Sequence, residues 1–227
     1  MKSIIVLMSV LSSVASFSQN VNLGAKYAVN STWLLNKQVG EDNNQSYTMT
    51  FGHDFGGIVH VKLAEQFGIK SEVLANTTIQ KYSGELSGID YKSVIELKTL
   101  DVPIMLTVGN KFYFEAGFVF SFINKAEYEL SASNFSSYEN VKENFEETNN
   151  AIAIGLVKSF EFGDGFHFLM GLRATKGVKD IKGINSMGYT KEELENLELT
   201  DYIDFGADEF KTSSLTVGLY VGLTLAL

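Results

Sequence analysis

The sequence predicts an all-β fold, an eight-stranded antiparallel up-and-down transmembrane β-barrel, and three observations carry that prediction. Period-two alternation recurs in eight segments, with apolar residues on one face and small or polar residues on the other. The connections sort by parity: short after segments two, four and six, and long after one, three, five and seven, near residues 32–47, 82–93, 125–149 and 177–210. Barrels that cross an outer membrane have this asymmetry, with short periplasmic turns and long outward loops. Finally, the non-apolar face is built mostly of Gly, Ser, Thr, Asn and Ala, which suits the cramped interior of a small barrel better than a surface meeting water.

Each element follows in order. The first segment sets Val21, Leu23, Ala25, Tyr27 and Val29 against Asn22, Gly24, Lys26 and Asn30. The second sets Phe55, Gly57, Val59, Val61 and Leu63 against Ile58, His60 and Lys62. After a short AEQ turn, Phe67, Ile69, Ser71, Val73 and Ala75 oppose Lys70, Glu72 and Asn76. The fourth sets Leu100, Val102, Ile104, Leu106 and Val108 against Asp101, Pro103 and Thr107. A GNK turn leads to the fifth, where Phe112, Phe114, Phe118, Phe120 and Phe122 alternate with Tyr113, Glu115, Gly117, Val119 and Ser121. The sixth carries Ile152, Ile154 and Leu156 opposite Ala151, Ala153 and Gly155. The seventh carries Phe166, Phe168, Met170 and Leu172 opposite His167, Gly171 and Arg173. The eighth runs from Leu215 to Leu227, with Thr216, Gly218, Tyr220, Gly222 and Thr224 on its small face.

Ahead of these segments, Lys2 precedes an apolar run from Ile4 to Val14, and Ser16 and Ser18 are small residues spaced for cleavage before Gln19. Residues 1–18 are therefore expected to be a signal peptide and 19–227 the barrel domain. The run falls short of the ~20 apolar residues a spanning helix needs. The chain has no cysteine, which excludes disulfides and thiolate metal sites. Aromatic residues fall where interfacial girdles would lie: Phe67, Phe112, Phe160, Phe162 and Phe166 near the short turns, and Tyr27, Trp33, Tyr82 and Phe122 toward the long loops. Lys158 breaks the apolar face but sits near a short turn, where its stem can snorkel to headgroups.

The segment LKTLDVPIMLTVGNKFYFEAGF (97–118) resembles the signature of the PorT-like outer-membrane β-barrel family, in which an acidic residue and a proline precede a short turn and an aromatic-rich strand. FGIKSEVLAN (67–76) resembles that family's strand-three motif around a lumenal glutamate, here Glu72, and GLRATKGVKDI (171–181) resembles the arginine-and-glycine segment before the last long loop, here Arg173 and Gly177. The resemblance covers the mature chain. It implies a small eight-stranded barrel in the outer membrane of a Gram-negative bacterium, long loops outward, with no particular activity. Its partners would be outer-membrane lipid, the barrel-assembly machinery and periplasmic chaperones.

Parity places Lys26, His60, Lys62, Lys70, Glu72, Asp101, Glu115, His167 and Arg173 in the lumen. Unpaired, such charges would each cost several kcal/mol to bury, so they are expected to pair across the lumen, either as a structural plug or as a gated path through Glu72, Glu115 and Arg173. A lipid-acting enzyme would need a His–Ser or His–Thr pair near the rim, for which only His53 with Ser46 or Thr48 offers itself. No cofactor is expected, and no basic patch invites nucleic acid. The long loops hold much of the net charge of −9. In the last, Thr190 and Glu193 form a capping-box pattern that predicts a short helix, and Asp201, Asp204, Asp208 and Glu209 are candidate calcium ligands. The function expected is a non-enzymatic outer-membrane barrel with a charge-plugged lumen and acidic surface loops, serving envelope integrity or surface interaction. The alternative is a narrow transport or secretion-accessory barrel.

Overall fold

Each of the eight alternating segments becomes a strand, and the strands close into a ring. A computed structural model describes residues 21–36, 45–86, 88–133, 135–196 and 211–227. Its strands are β1 (Val21–Asn36), β2 (Gln45–Thr48), β3 (Gly52–Ala64), β4 (Phe67–Leu86), β5 (Ile89–Gly109), β6 (Phe112–Ala132), β7 (Phe135–Asn140), β8 (Thr148–Phe162), β9 (Phe166–Gly177) and β10 (Thr212–Ala226), with one short helix, α1 (Lys191–Asn196). The ring runs β1–β3–β4–β5–β6–β8–β9–β10 and back to β1, every pairing antiparallel. The expected signal peptide and the candidate calcium ligands Asp201, Asp204, Asp208 and Glu209 lie outside the described residues.

The register fixes the barrel's shape. From Tyr27, partners across β3, β4 and β5 are Phe55, Ala75 and Leu100, which reach β6 at Phe122. In the other direction Val221, Met170 and Lys158 reach β6 at Phe112. The two routes meet the same strand ten residues apart, so the strands must tilt, by ~35–45° in closed barrels of this kind. The interior is then just wide enough for side chains to fill. Outside, Leu219 is 67 % exposed and Phe114 60 %, within a continuous apolar belt that water could not solvate cheaply.

Above the belt the structure departs from expectation. Residues 82–93 were expected to be a loop, yet β4 and β5 continue as a paired ladder as far as Leu86 and Ile89. Much of 125–149 is likewise β6 and β7. Alternation persists there, but the apolar parity inverts. On β5, Ile104 and Leu106 face outward, whereas Ile95 and Leu97 face inward and are buried. The reason is the change of solvent: where lipid ends, the outer face must be polar and the inner face becomes an ordinary core. Tyr82, expected in the outer girdle, is accordingly buried in this core with Leu34, Ile95, Ile123 and Tyr128. β2 and β7 flank the extended strands, giving a five-stranded sheet β2–β4–β5–β6–β7 beyond the barrel.

The segment after β9 folds across this end. Ile181 and Ile184 join the upper core. The Ser186 carbonyl accepts hydrogen bonds from Ser93 and, at 2.9 Å, from Tyr128. Lys179 and Lys182 both bond Glu146, at 2.8 Å, and hold its carboxyl down at about 2. A depressed carboxylate pKa adds stability that is complete above the unfolded value and disappears as pH falls through the folded one. Protection of the 181–189 segment from protease should therefore weaken between pH 4.5 and 2 in the native chain, and Glu146→Gln should remove that pH dependence. At α1, Glu193 bonds the Thr190 amide at 2.7 Å and Thr190 Oγ1 receives the Glu193 amide at 3.3 Å, the capping box read from the sequence.

Candidate functional site

Midway along the lumen, side chains from six strands form one ion-pair network. Lys26 of β1 donates to Glu72 of β4 at 3.0 Å. Arg173 of β9 bonds both oxygens of Glu72, at 2.7 and 2.8 Å, and through Nε reaches Glu115 of β6 at 2.7 Å. Lys70 of β4 bonds the other Glu115 oxygen and lies 3.4 Å from Glu72. Asp54 of β3 stands 3.9 Å from Lys26 and accepts from Asn30 at 2.9 Å. Tyr220 of β10 donates to Glu115 at 3.2 Å and accepts from Lys70 at 3.1 Å, while Lys26 sits 4.5 Å from the centre of its ring. Lys70, Glu72 and Glu115 are at most 2 % exposed.

The small residues of the inner face make this crowding feasible. Lys26 is flanked by Gly56 and Gly222, and Arg173 by Gly155 and Gly218. A Cβ at Gly171 would lie 2.3 Å from the Tyr220 ring, and one at Gly155 would lie 2.8 Å from the Glu115 carboxylate. Long charged side chains thus occupy space that neighbouring strands leave open. The alternation of three cations with three carboxylates compensates the desolvation that burial imposes.

The network divides the lumen into two cavities. Toward the short turns lies one of about 80 Å³, and toward the loops one of about 70 Å³. Of the nine residues expected in the lumen, five (Lys26, Lys70, Glu72, Glu115 and Arg173) meet in the network. His60, Lys62 and His167 line the short-turn cavity instead, where His60 pairs with Thr107 at 3.0 Å. Asp101 lies across the network in the loop-side cavity, bonded by Thr99 at 2.6 Å and Asn76 at 3.0 Å. Asp54 and Tyr220 were not among the expected network members. The signal for both was their inward parity, beside outward Phe55 and Leu219. Of the residues considered for a catalytic pair, His53 faces outward and stacks on Tyr27, Ser46 pairs with Ser83, and Thr48 stands opposite Lys81 on the β2–β4 ladder. Among the described residues no group of acids and histidines is arranged to hold a metal ion.

A profile of the family described as outer membrane protein beta-barrel domain matches residues 17–183. No curated protein matches the chain. Similar solved structures include Neisserial surface protein A, with TM-score 0.40 and 8 % identity over 91 % of this chain and 97 % of that one. Ail, the attachment invasion locus protein of Yersinia pestis, gives 0.40 and 10 % over 91 % and 99 %. The outer membrane protease OmpT from Escherichia coli gives 0.43 and 6 % over 92 % and 97 %.

Proposed function

Because this chain belongs to the outer membrane protein beta-barrel domain family, and so resides in the outer membrane of a Gram-negative bacterium, we propose that it is a non-enzymatic barrel whose lumen is sealed by its own charges and whose working surface lies outside the cell. The observation that carries this reading is the network of Lys26, Glu72, Arg173, Glu115 and Lys70, which crosses the lumen with its charges paired. The upper core under Ile181 and Ile184 is a second barrier on the extracellular side. The five-stranded extracellular sheet supports a role in surface interaction. Among the described residues, β2 and β7 each pair on one side only, and Phe135 and Tyr138 on β7 are exposed. The narrower PorT-like assignment, carried by the segments around Glu72, Asp101 and Arg173, belongs to the same proposal.

Purified protein in planar bilayers tests the seal. Native barrel should give no steady conductance. Steady ion currents through the native barrel would instead favour a narrow transport role.

A further inference from the structure

A single charge interrupts the apolar belt, and it stands at one end of a groove. Among the described outward-facing residues between the short turns and the upper lysines Lys98 and Lys176, only Lys158 is charged. Among the described residues it has no acidic partner, and its ammonium lies 5.9 Å from the centre of the Phe160 ring. Beside it the outer wall is hollowed by a groove of about 520 Å³. The lining is apolar apart from Lys158, and the floor passes over Gly171 and the backbone of Tyr220, whose ring turns into the lumen.

The groove follows the register of the strands. One bank is the row Phe112, Lys158, Met170, Val221 and Tyr27, partners in turn across β6, β8, β9, β10 and β1. The other bank is the next outward row, Leu156, Leu172, Leu219 and Val29. Along the first row the distance from the periplasmic end of each strand grows. Phe112 opens β6, Lys158 is four residues from Phe162 at the end of β8, and Tyr27 is six residues from Val21 at the start of β1. The groove therefore climbs from the periplasmic interface toward mid-bilayer. Strands lie ~4.8 Å apart, so the four steps from β6 to β1 span ~19 Å. At a strand tilt of ~35–45° this path rises ~11–14 Å, most of one half of a ~30 Å hydrocarbon core.

We propose that this groove binds one anionic glycerophospholipid of the periplasmic leaflet, an acyl chain lying between the two rows and the phosphate meeting Lys158. The length and inclination of the groove fit a chain anchored at that surface. A lipid of the outer leaflet would enter at the opposite end, beside Tyr27 and Val29, where the groove offers no cation. Hydrocarbon in the hollow restores dispersion contacts that an empty groove forfeits. The phosphate neutralises an ammonium otherwise held against apolar side chains. Net charge sets the choice of headgroup: phosphocholine and phosphoethanolamine carry their own cation beside the phosphate, whereas phosphoglycerol does not. The site lies on the outside of the wall and does not depend on whether the lumen is sealed.

The test uses the full barrel, folded in detergent and mixed with equal amounts of phosphatidylglycerol and phosphatidylcholine of identical acyl chains, with bound lipid read by native mass spectrometry. The native chain should retain one phosphatidylglycerol in ~5-fold preference to phosphatidylcholine, the contribution of one lysine at a membrane surface. Lys158→Met should remove that preference. Leu172→Trp, which fills the groove and leaves the lysine in place, should weaken retention of phosphatidylglycerol several-fold. Equal retention of the two lipids by the native chain would overturn the proposal, as would a preference that survives Lys158→Met. Undiminished retention by Leu172→Trp would also overturn it, by reducing Lys158 to a headgroup contact that needs no groove.

Discussion

Replacing Arg173 with methionine should destabilise the folded barrel by ~3–5 kcal/mol, since it leaves Glu72 and Glu115 buried with a guanidinium missing between them. Methionine retains the bulk of the arginine stem, so the loss reflects charge rather than a cavity. Lys26 and Lys70 remain to serve both acids, which sets the expectation within that range and not above it. Arg173→Lys should recover little, because an ammonium cannot make the two-pronged bond to Glu72 together with the Nε bond to Glu115. Urea titration of barrels folded in vesicles measures both effects. If Arg173→Met matched the native midpoint, the network would not be holding the lumen. The double variant Glu72→Gln with Arg173→Met should lose less than the two single changes summed, because the residues share a bond.

The second large effect concerns the outer face. Ile154 on β8 is 60 % exposed and lies between Ala116 and Ala174 on the neighbouring strands. Arginine there should cost ~2–4 kcal/mol, the penalty for a cation near mid-bilayer. Lys158 shows why the same charge is tolerated four residues nearer the periplasmic turn. Its ammonium lies 5.9 Å from the centre of the Phe160 ring, pointed toward the interface. Lys158→Met should accordingly leave stability nearly unchanged. Ile154→Arg without penalty would mean that the belt does not touch hydrocarbon.

The barrel itself was legible in the sequence because parity is a strict geometric consequence of a strand. Once Phe114 and Phe118 are taken to face lipid, Glu115 has only the lumen to enter, and the same reasoning places Lys26, Lys70, Glu72 and Arg173. What parity cannot supply is height. His60, Lys62 and His167 share the inward face with Glu72 but sit nearer the periplasm, and Asp101 sits above it; only the ten-residue stagger of the ring sorts them. The extracellular sheet was lost for a different reason. Where Tyr82, Ile95 and Leu97 turn inward and Lys81, Lys92 and Lys98 outward, the strand pattern continues with its sign reversed. A reading tuned to an apolar exterior takes that reversal for the end of the strand. The partners Asp54 and Tyr220 escaped because short acids and tyrosines on a small-residue face resemble ordinary filler until the glycines opposite them are known.

Alternation of lipid and lumen along β6 is the claim from which the rest descends, and the absence of native cysteine makes it directly measurable. Nitroxide labels placed singly at Phe118→Cys, Phe120→Cys and Ser121→Cys in vesicle-embedded protein should divide cleanly. The two outward positions should collide freely with dissolved oxygen and be shielded from a water-soluble nickel chelate, and position 121 should be shielded from both. Strong collision with the chelate at 118 and 120 would place water where the account places lipid, and would contradict it.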